Sequence, residues 1–68
     1  MSDKAKQLLE KLVQEYDASG HNSFDSFFYL GFPESVLIEL ENEGCIIAKN
    51  DIIGSIELTD IGYQEAKK

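Results

Sequence analysis

Residue types that could supply a nucleophile, a base and an orienting acid lie close together in one short stretch of this chain. That stretch contains Ser19, His21, Ser23 and Asp25, with Gly20 among them. Ser, Asp and Gly are the residues that favour turns, so the composition indicates a turn between two apolar segments. A catalytic triad would need a base held between a nucleophile and an orienting group. We therefore predict that His21 is a surface or capping residue and that the stretch is not catalytic.

Metal and cofactor sites are not indicated either. Cys45 is the only cysteine, so the chain has no second thiolate for a metal site and no partner for an internal disulfide. Glu34, Asp51, Glu57 and Asp60 lack the spacing of a calcium loop, and no glycine-rich phosphate motif is present. These observations predict a non-enzyme without cofactor, metal or small-molecule substrate, in which Cys45 packs as a small apolar residue.

The charge of the chain is strongly negative and unevenly placed. The formal net charge is −7 over 68 residues, and the chain has no arginine. No lysine lies between Lys11 and Lys49, whereas that interval holds seven acids: Glu15, Asp17, Asp25, Glu34, Glu39, Glu41 and Glu43. Nucleic-acid-binding proteins neutralise phosphates with clustered Lys and Arg, so this pattern makes DNA binding doubtful. The simplest alternative is an acidic surface that keeps a small domain in solution.

The length and hydropathy of the chain predict a single domain outside the membrane. At 68 residues it corresponds to one domain, residues 1–68, near the lower limit for folding without a metal or disulfides. No apolar run approaches the roughly 18 residues of a membrane span, and the N-terminus is polar, unlike a signal peptide. We expect a cytoplasmic protein that does not contact a membrane.

Two helices are predicted in the first half of the chain. Ser2 is placed to cap a first helix that runs to about Tyr16. Its apolar stripe consists of Ala5, Leu8, Leu9, Leu12, Val13 and Tyr16. Ser23 is placed to cap a second, short helix that ends at Gly31. In that helix Phe24, Phe27 and Phe28 would share one face, and Phe27 would belong to the core.

A third helix and a hairpin are predicted in the second half. The helix begins at Pro33 and ends at Gly44, with Val36, Leu37 and Leu40 facing inward. Residues 45–49 and 55–58 alternate as two strands of a hairpin, joined by turn residues at 50–54. Thr59 is then placed to cap a final helix, in which Ile61 and Ala66 would pack.

The end of this arrangement resembles a winged helix-turn-helix domain. The resemblance rests on the order of elements and on the spacing of Leu40, Gly44, Ile46, Leu58, Thr59 and Gly62. It implies an α+β fold, a small winged helix in which a three-helix helix-turn-helix core is followed by a two-stranded wing and a C-terminal helix. In this family the third helix enters the DNA major groove and the wing touches the backbone. That role would fall on Ser35, Asn42, Lys49 and Asn50.

The outward face of the third helix and the wing tip form the predicted contact surface. Ile38 lies at the centre of that face, and the full set is Glu34, Ser35, Ile38, Glu39, Asn42, Ile52 and Ile53. Isolated exposed apolar residues are common, but apolar residues rimmed by acids are typical of protein-binding surfaces. We expect a non-catalytic regulatory module that binds a protein partner or forms a homodimer.

Two alternatives to this function remain open. The first is a winged-helix transcriptional regulator that contacts DNA, as a monomer or a dimer, through its few lysines, Lys4, Lys6, Lys11 and Lys49. The second is an acidic decoy that occupies the basic site of a nucleic-acid-binding protein. The acidic composition is compatible with the decoy, whereas the resemblance alone favours the regulator.

Overall fold

The computed structural model describes residues 1–49, 52 and 54–68, and these form a small α+β fold. The elements in chain order are α1 (Asp3–Ser19), β1 (Ser23–Phe24), α2 (Glu34–Asn42), β2 (Ile46–Ala48), β3 (Ile56–Leu58) and α3 (Asp60–Ala66). The strands form one antiparallel sheet in the order β1-β3-β2. Of the described residues, none belongs to a helix with the length and apolar character needed to cross a membrane.

Helix α1 confirms the first predicted helix and extends it by one turn. The Ser2 hydroxyl accepts a hydrogen bond from the Ala5 N–H at 3.2 Å, which satisfies one of the N–H groups left open at a helix start. The helix ends at Ser19 because Gly20 adopts a left-handed backbone with φ of 80°. Tyr16 is 37% exposed, whereas the remainder of the predicted stripe is buried.

The second predicted helix is wrong. Ser23 and Phe24 form β1, which pairs with β3, and residues 26–31 form turns. The Asp25 carboxylate accepts the Phe27 N–H at 3.1 Å, and the Asp25 carbonyl accepts the Phe28 N–H at 3.1 Å. A carboxylate that binds its own backbone in this way stabilises a turn in competition with a helix.

The aromatic residues of this segment are consequently placed differently from the prediction. Phe24 is buried and its ring lies against that of Phe28, with centroids 4.7 Å apart, but Phe27 is 80% exposed. The prediction that Phe27 is a core residue is therefore wrong. Helices α1 and α2 pack against each other directly. The segment between them, where the middle helix was expected, contains β1 and turns instead.

Helix α2 confirms the third predicted helix and its inward face. Val36 and Leu40 are buried, and Leu37 is partly buried against the same core. Pro33 is the N-cap and precedes the first helical residue, which suits a residue without an N–H to donate. Gly44 follows the helix with φ of 78°, the left-handed conformation that glycine adopts without strain.

The sheet contains the predicted hairpin and one further strand. The regular strands are shorter than predicted, but backbone bonds continue the pairing at both ends, from Lys49 N–H to the Ser55 carbonyl and from Thr59 N–H to the Cys45 carbonyl, each at 3.0 Å. The predicted wing is two-stranded, whereas β1 adds a third strand next to β3. The predicted turn falls largely on residues 50, 51 and 53, which lie outside the described residues.

Thr59 joins the hairpin to α3 and to the end of α2. Its hydroxyl accepts the Gly62 N–H at 3.0 Å, so the predicted cap is confirmed, and the same hydroxyl donates to the Gly44 carbonyl at 2.6 Å. Gly62 packs directly on the Cys45 carbonyl, and a Cβ at that position would collide with it. Cys45 is buried, as predicted, but Ile61 is 59% exposed, so the prediction that Ile61 packs is wrong.

We expect Leu40→Ala to lower the free energy of unfolding by about 2–5 kcal/mol, because Leu40 is fully buried and its truncation leaves a cavity. Leu30→Ala is the matched control. Leu30 is 73% exposed, so the same truncation there should change stability by no more than about 0.5 kcal/mol. Urea denaturation followed by circular dichroism measures both, and equal losses in the two variants would contradict the described core.

Candidate functional site

A groove of about 360 Å³ lies between α2 and the β2–β3 hairpin. We call it the α2–hairpin groove. Its apolar lining residues are Tyr29, Leu37, Ile38, Ala48, Ile46 and Ile56, and its acidic lining residues are Glu34 and Glu41. The groove therefore has an apolar floor and an acidic rim, with no basic residue in its lining.

Helical spacing explains the α2 side of the groove. Glu34, Ile38 and Glu41 are separated by four and three residues, so they follow one face of the helix. Ile38 is 50% exposed, although Leu37 beside it is partly buried against the core. The predicted outward orientation of Ile38 is therefore confirmed.

Strand alternation explains the hairpin side. Ile46, Ala48 and Ile56 point to the same face of the sheet, because side chains alternate between faces along a strand and Ala48 is paired with Ile56. Ile47 lies between the first two and points to the opposite face, where it is 52% exposed. The groove is thus lined by the sheet face that continues into the core.

Tyr29 closes one end of the groove and was not identified from the sequence. Its hydroxyl donates a hydrogen bond of 2.5 Å to the Gly54 carbonyl, 25 residues away. This bond holds the turn segment before α2 against the turn end of the hairpin. The sequence placed Tyr29 in a predicted helix and gave no signal for a contact at this distance along the chain.

The carboxylates of the groove are free of internal cations. Glu34 and Glu41 are exposed, and neither carboxylate forms an ion pair or hydrogen bond with any residue in the described ranges. The lysines that are paired lie elsewhere. Lys49 pairs with Glu57 at 3.0 Å, and Lys67 pairs with Asp17 at 2.9 Å. Lys49, a predicted DNA-contacting residue, is therefore partly neutralised.

The predicted contact residues are distributed over more than one surface. Ser35 and Asn42 are exposed on α2 but do not line the groove, whereas Glu34 and Ile38 do. Ile52 is fully exposed. Ile53 and Asn50, which were also predicted to make contacts, lie outside the described residues. The assignment of this set to partner or DNA contact remains a prediction.

Glu39 faces α1 and not the groove. One carboxylate oxygen accepts the Ser2 backbone N–H at 2.6 Å and the other accepts the Ser2 hydroxyl at 2.8 Å, across 37 residues of sequence. These two hydrogen bonds stabilise the ionised form and lower the pKa of Glu39 from its ordinary value. Glu39 therefore links α2 to the start of α1 and is less available to a partner than was predicted.

The stretch around His21 has a structural role at the end of α1. The Ser19 hydroxyl donates to the Glu15 carbonyl at 2.8 Å and accepts the His21 backbone N–H at 3.3 Å.

Burial raises the pKa of the Cys45 thiol, which disfavours the reactive thiolate at neutral pH. Within the described ranges, no three His, Cys, Asp or Glu residues are grouped so that they could hold a metal ion.

Comparisons of this chain with models of protein families, with curated proteins and with solved structures gave no match.

The lowered pKa of Glu39 predicts a pH-dependent contribution to stability. The carboxylate is ionised more readily in the folded than in the unfolded chain, so its contribution is present above the unfolded pKa and is lost as the pH falls through the folded pKa. We expect Glu39→Gln to melt below the parent at pH 7, with the difference shrinking as the pH falls through the lowered pKa of Glu39. Glu41→Gln is the control, because Glu41 is exposed and its carboxylate has no partner among the described residues.

Thermal melting between about pH 2 and pH 7 measures the effect. A difference between the parent and Glu39→Gln that stayed constant over the whole range would show that ionised Glu39 is not the stabilising group.

Proposed function

We propose that this protein is a non-catalytic regulatory module with a winged-helix-like architecture, and that its α2–hairpin groove binds a basic segment of a partner protein. Support for the architecture comes from the order of α2, hairpin and α3 and from the Gly44, Thr59 and Gly62 contacts that join them. The observation that carries the function is the groove itself, in which an exposed Ile38 lies between two unpaired carboxylates.

The apolar floor supplies the binding energy in this proposal. Ile38 is half exposed in the free protein, so a partner that covers it removes apolar surface from water at about 25 cal/mol per Å². Residues that anchor a protein interface typically lie at its centre, surrounded by contacts that exclude water. Ile38 has this position between Glu34 and Glu41 along one helical face.

The negative charges of the groove and of the whole chain determine which partner is attracted. The chain carries a net charge of −7, and the rim of the groove contributes Glu34 and Glu41 without any lysine among its lining residues. A basic partner is attracted over several ångströms and associates faster at low salt, whereas an acidic one is repelled. A second copy of this chain would bring the same acids towards this rim, so charge favours a different, basic protein.

The ionisable residues that line the groove do not support a catalytic function. Its ionisable residues are Glu34, Glu41 and Tyr29, and the Tyr29 hydroxyl is already bonded to the Gly54 carbonyl. The two carboxylates are exposed to water, and the lining contains no histidine, cysteine or lysine beside them. General acid–base catalysis requires groups positioned and tuned for proton transfer, which this lining does not provide.

Ile38→Lys tests the proposed groove. The partner is recovered from the native cell with tagged protein, purified, and titrated against the parent and the variants by calorimetry. We expect Ile38→Lys to weaken binding at least about tenfold, because the new ammonium must be desolvated in an apolar contact. Thermal melting should show that the variant remains folded, because surface changes usually cost less than about 0.5 kcal/mol.

Ile47→Lys is the matched control for this test. Ile47 is 52% exposed but lies on the opposite face of the sheet, so the same substitution there should leave the affinity within about twofold. Equal binding by parent and Ile38→Lys would overturn the proposal. Self-association of the parent that is lost in Ile38→Lys, seen by sedimentation, would show that the occupant is a second copy and not a basic partner.

A further inference from the structure

A second pocket, of about 280 Å³, lies where the end of α1, the residue before β1 and the start of α3 meet. We call it the tyrosine pocket. It is lined by Tyr16, Asn22, Leu58, Thr59, Asp60 and Tyr63. It shares no lining residue with the α2–hairpin groove, so what it binds is independent of the function proposed for that groove.

Two aromatic rings form one wall of the tyrosine pocket. The rings of Tyr16 and Tyr63 have centroids 5.5 Å apart and planes inclined at 68°. Aromatic faces carry negative charge density and attract cations within about 6 Å of the centroid. The same wall already interacts with one internal cation, because Lys67 Nζ lies 5.1 Å from the Tyr63 centroid.

Asp17 fixes this wall and neutralises the internal cation. Its carboxylate accepts the Tyr63 hydroxyl at 2.9 Å and the Lys67 ammonium at 2.9 Å. The first bond sets the orientation of the Tyr63 ring, and the second offsets the positive charge beside the pocket. The aromatic wall is therefore preorganised without leaving a net positive charge next to it.

Two further lining residues of the tyrosine pocket carry hydrogen-bond acceptors. The Asp60 carboxylate and the side-chain amide of Asn22 have no hydrogen-bond or ion-pair partner among the residues that the structure describes. Asn22 is held in place by its backbone, because its carbonyl accepts the Leu58 N–H at 2.8 Å. The pocket thus combines aromatic surface with a carboxylate and an amide oxygen that are both available to a ligand.

We propose that the tyrosine pocket binds a guanidinium group, that of an arginine side chain in a partner protein. A guanidinium is planar, stacks on aromatic rings and directs several N–H donors in its plane. One edge would donate to the Asp60 carboxylate and another N–H to the Asn22 amide oxygen, while the plane covers a tyrosine ring. Guanidinium–carboxylate pairs of this kind are stronger and more directional than those of an ammonium.

The composition of the chain excludes a second copy as the source of the ligand. The protein contains no arginine, so any guanidinium in the pocket must come from another molecule. A quaternary ammonium would use the aromatic wall but has no N–H for Asp60 or Asn22. The pairing of ring faces with unpartnered acceptors therefore favours a cation with N–H donors over a quaternary ammonium, and the planar guanidinium, which can stack and donate in its plane at once, over the ammonium of lysine.

The test uses arginine capped by acetyl and amide groups, titrated into the isotopically labelled protein and followed by NMR. Capped lysine and tetramethylammonium are the competing probes. We expect saturable shifts at Asn22, Asp60 and Tyr63, with capped arginine binding at least about threefold more tightly than either competitor. Asp60→Asn should weaken capped arginine at least about fivefold, because it removes the charge-assisted pair.

Two further variants separate pocket binding from general attraction to an acidic protein. Glu10→Gln removes the same charge at an exposed residue outside the pocket and should leave the affinity within about twofold. Tyr16→Leu removes a ring that is 37% exposed, and should weaken binding even if Asp60→Asn proves unstable.

Any one of four results would overturn the proposal. Two concern the probes as a set: no saturable shifts, or equal binding of the three cations. The others are tighter binding of tetramethylammonium, and equal losses of affinity in Asp60→Asn and Glu10→Gln. None of these results bears on the α2–hairpin groove, because the groove and the tyrosine pocket share no lining residue.

Discussion

The hydrogen bonds of the Thr59 hydroxyl are the interaction on which the rest of the structure depends. The hydroxyl donates to the Gly44 carbonyl at 2.6 Å and accepts the Gly62 N–H at 3.0 Å, so one side chain joins the end of α2 to the start of α3. Gly62 permits this junction because a Cβ there would collide with the Cys45 carbonyl. The junction sets α2 against the hairpin, which forms the α2–hairpin groove, and it places Asp60 at the tyrosine pocket.

The carboxylates of the two candidate surfaces have no internal cation beside them. Lys49, Lys67 and Lys68 each pair with a nearby carboxylate, whereas Glu34, Glu41 and Asp60 are left without partners in the described part of the chain. Surface ion pairs of this kind contribute little to stability. Both proposals therefore assign a cationic ligand to these unpaired acids, one with an apolar floor beside them and the other with aromatic rings.

The parts of the fold that the sequence predicted correctly depend on local signals. The Ser2 and Thr59 caps, the positive φ of Gly44 and the 3.6-residue spacing of the α1 stripe each involve residues within one or two turns of one another. The helix predicted over residues 24–30 failed because Phe24, Phe27 and Phe28 have helical spacing by sequence, while the Asp25 turn and the pairing of β1 with β3 decide the backbone. Contacts such as Glu39 with Ser2 and Tyr29 with Gly54 span 37 and 25 residues, and local periodicity carries no information about them.

The claim that the α2 face binds protein rather than nucleic acid is tested most directly by fluorescence anisotropy with labelled random and genomic DNA duplexes near physiological salt. In the described structure α2 presents Glu34, Glu41 and no basic residue, and Lys49 is paired with Glu57. We predict no binding tighter than about 10⁻⁵ M, the level of nonspecific association. Nanomolar binding to any duplex that weakens steeply with added salt would contradict the claim and would favour a DNA-binding regulator.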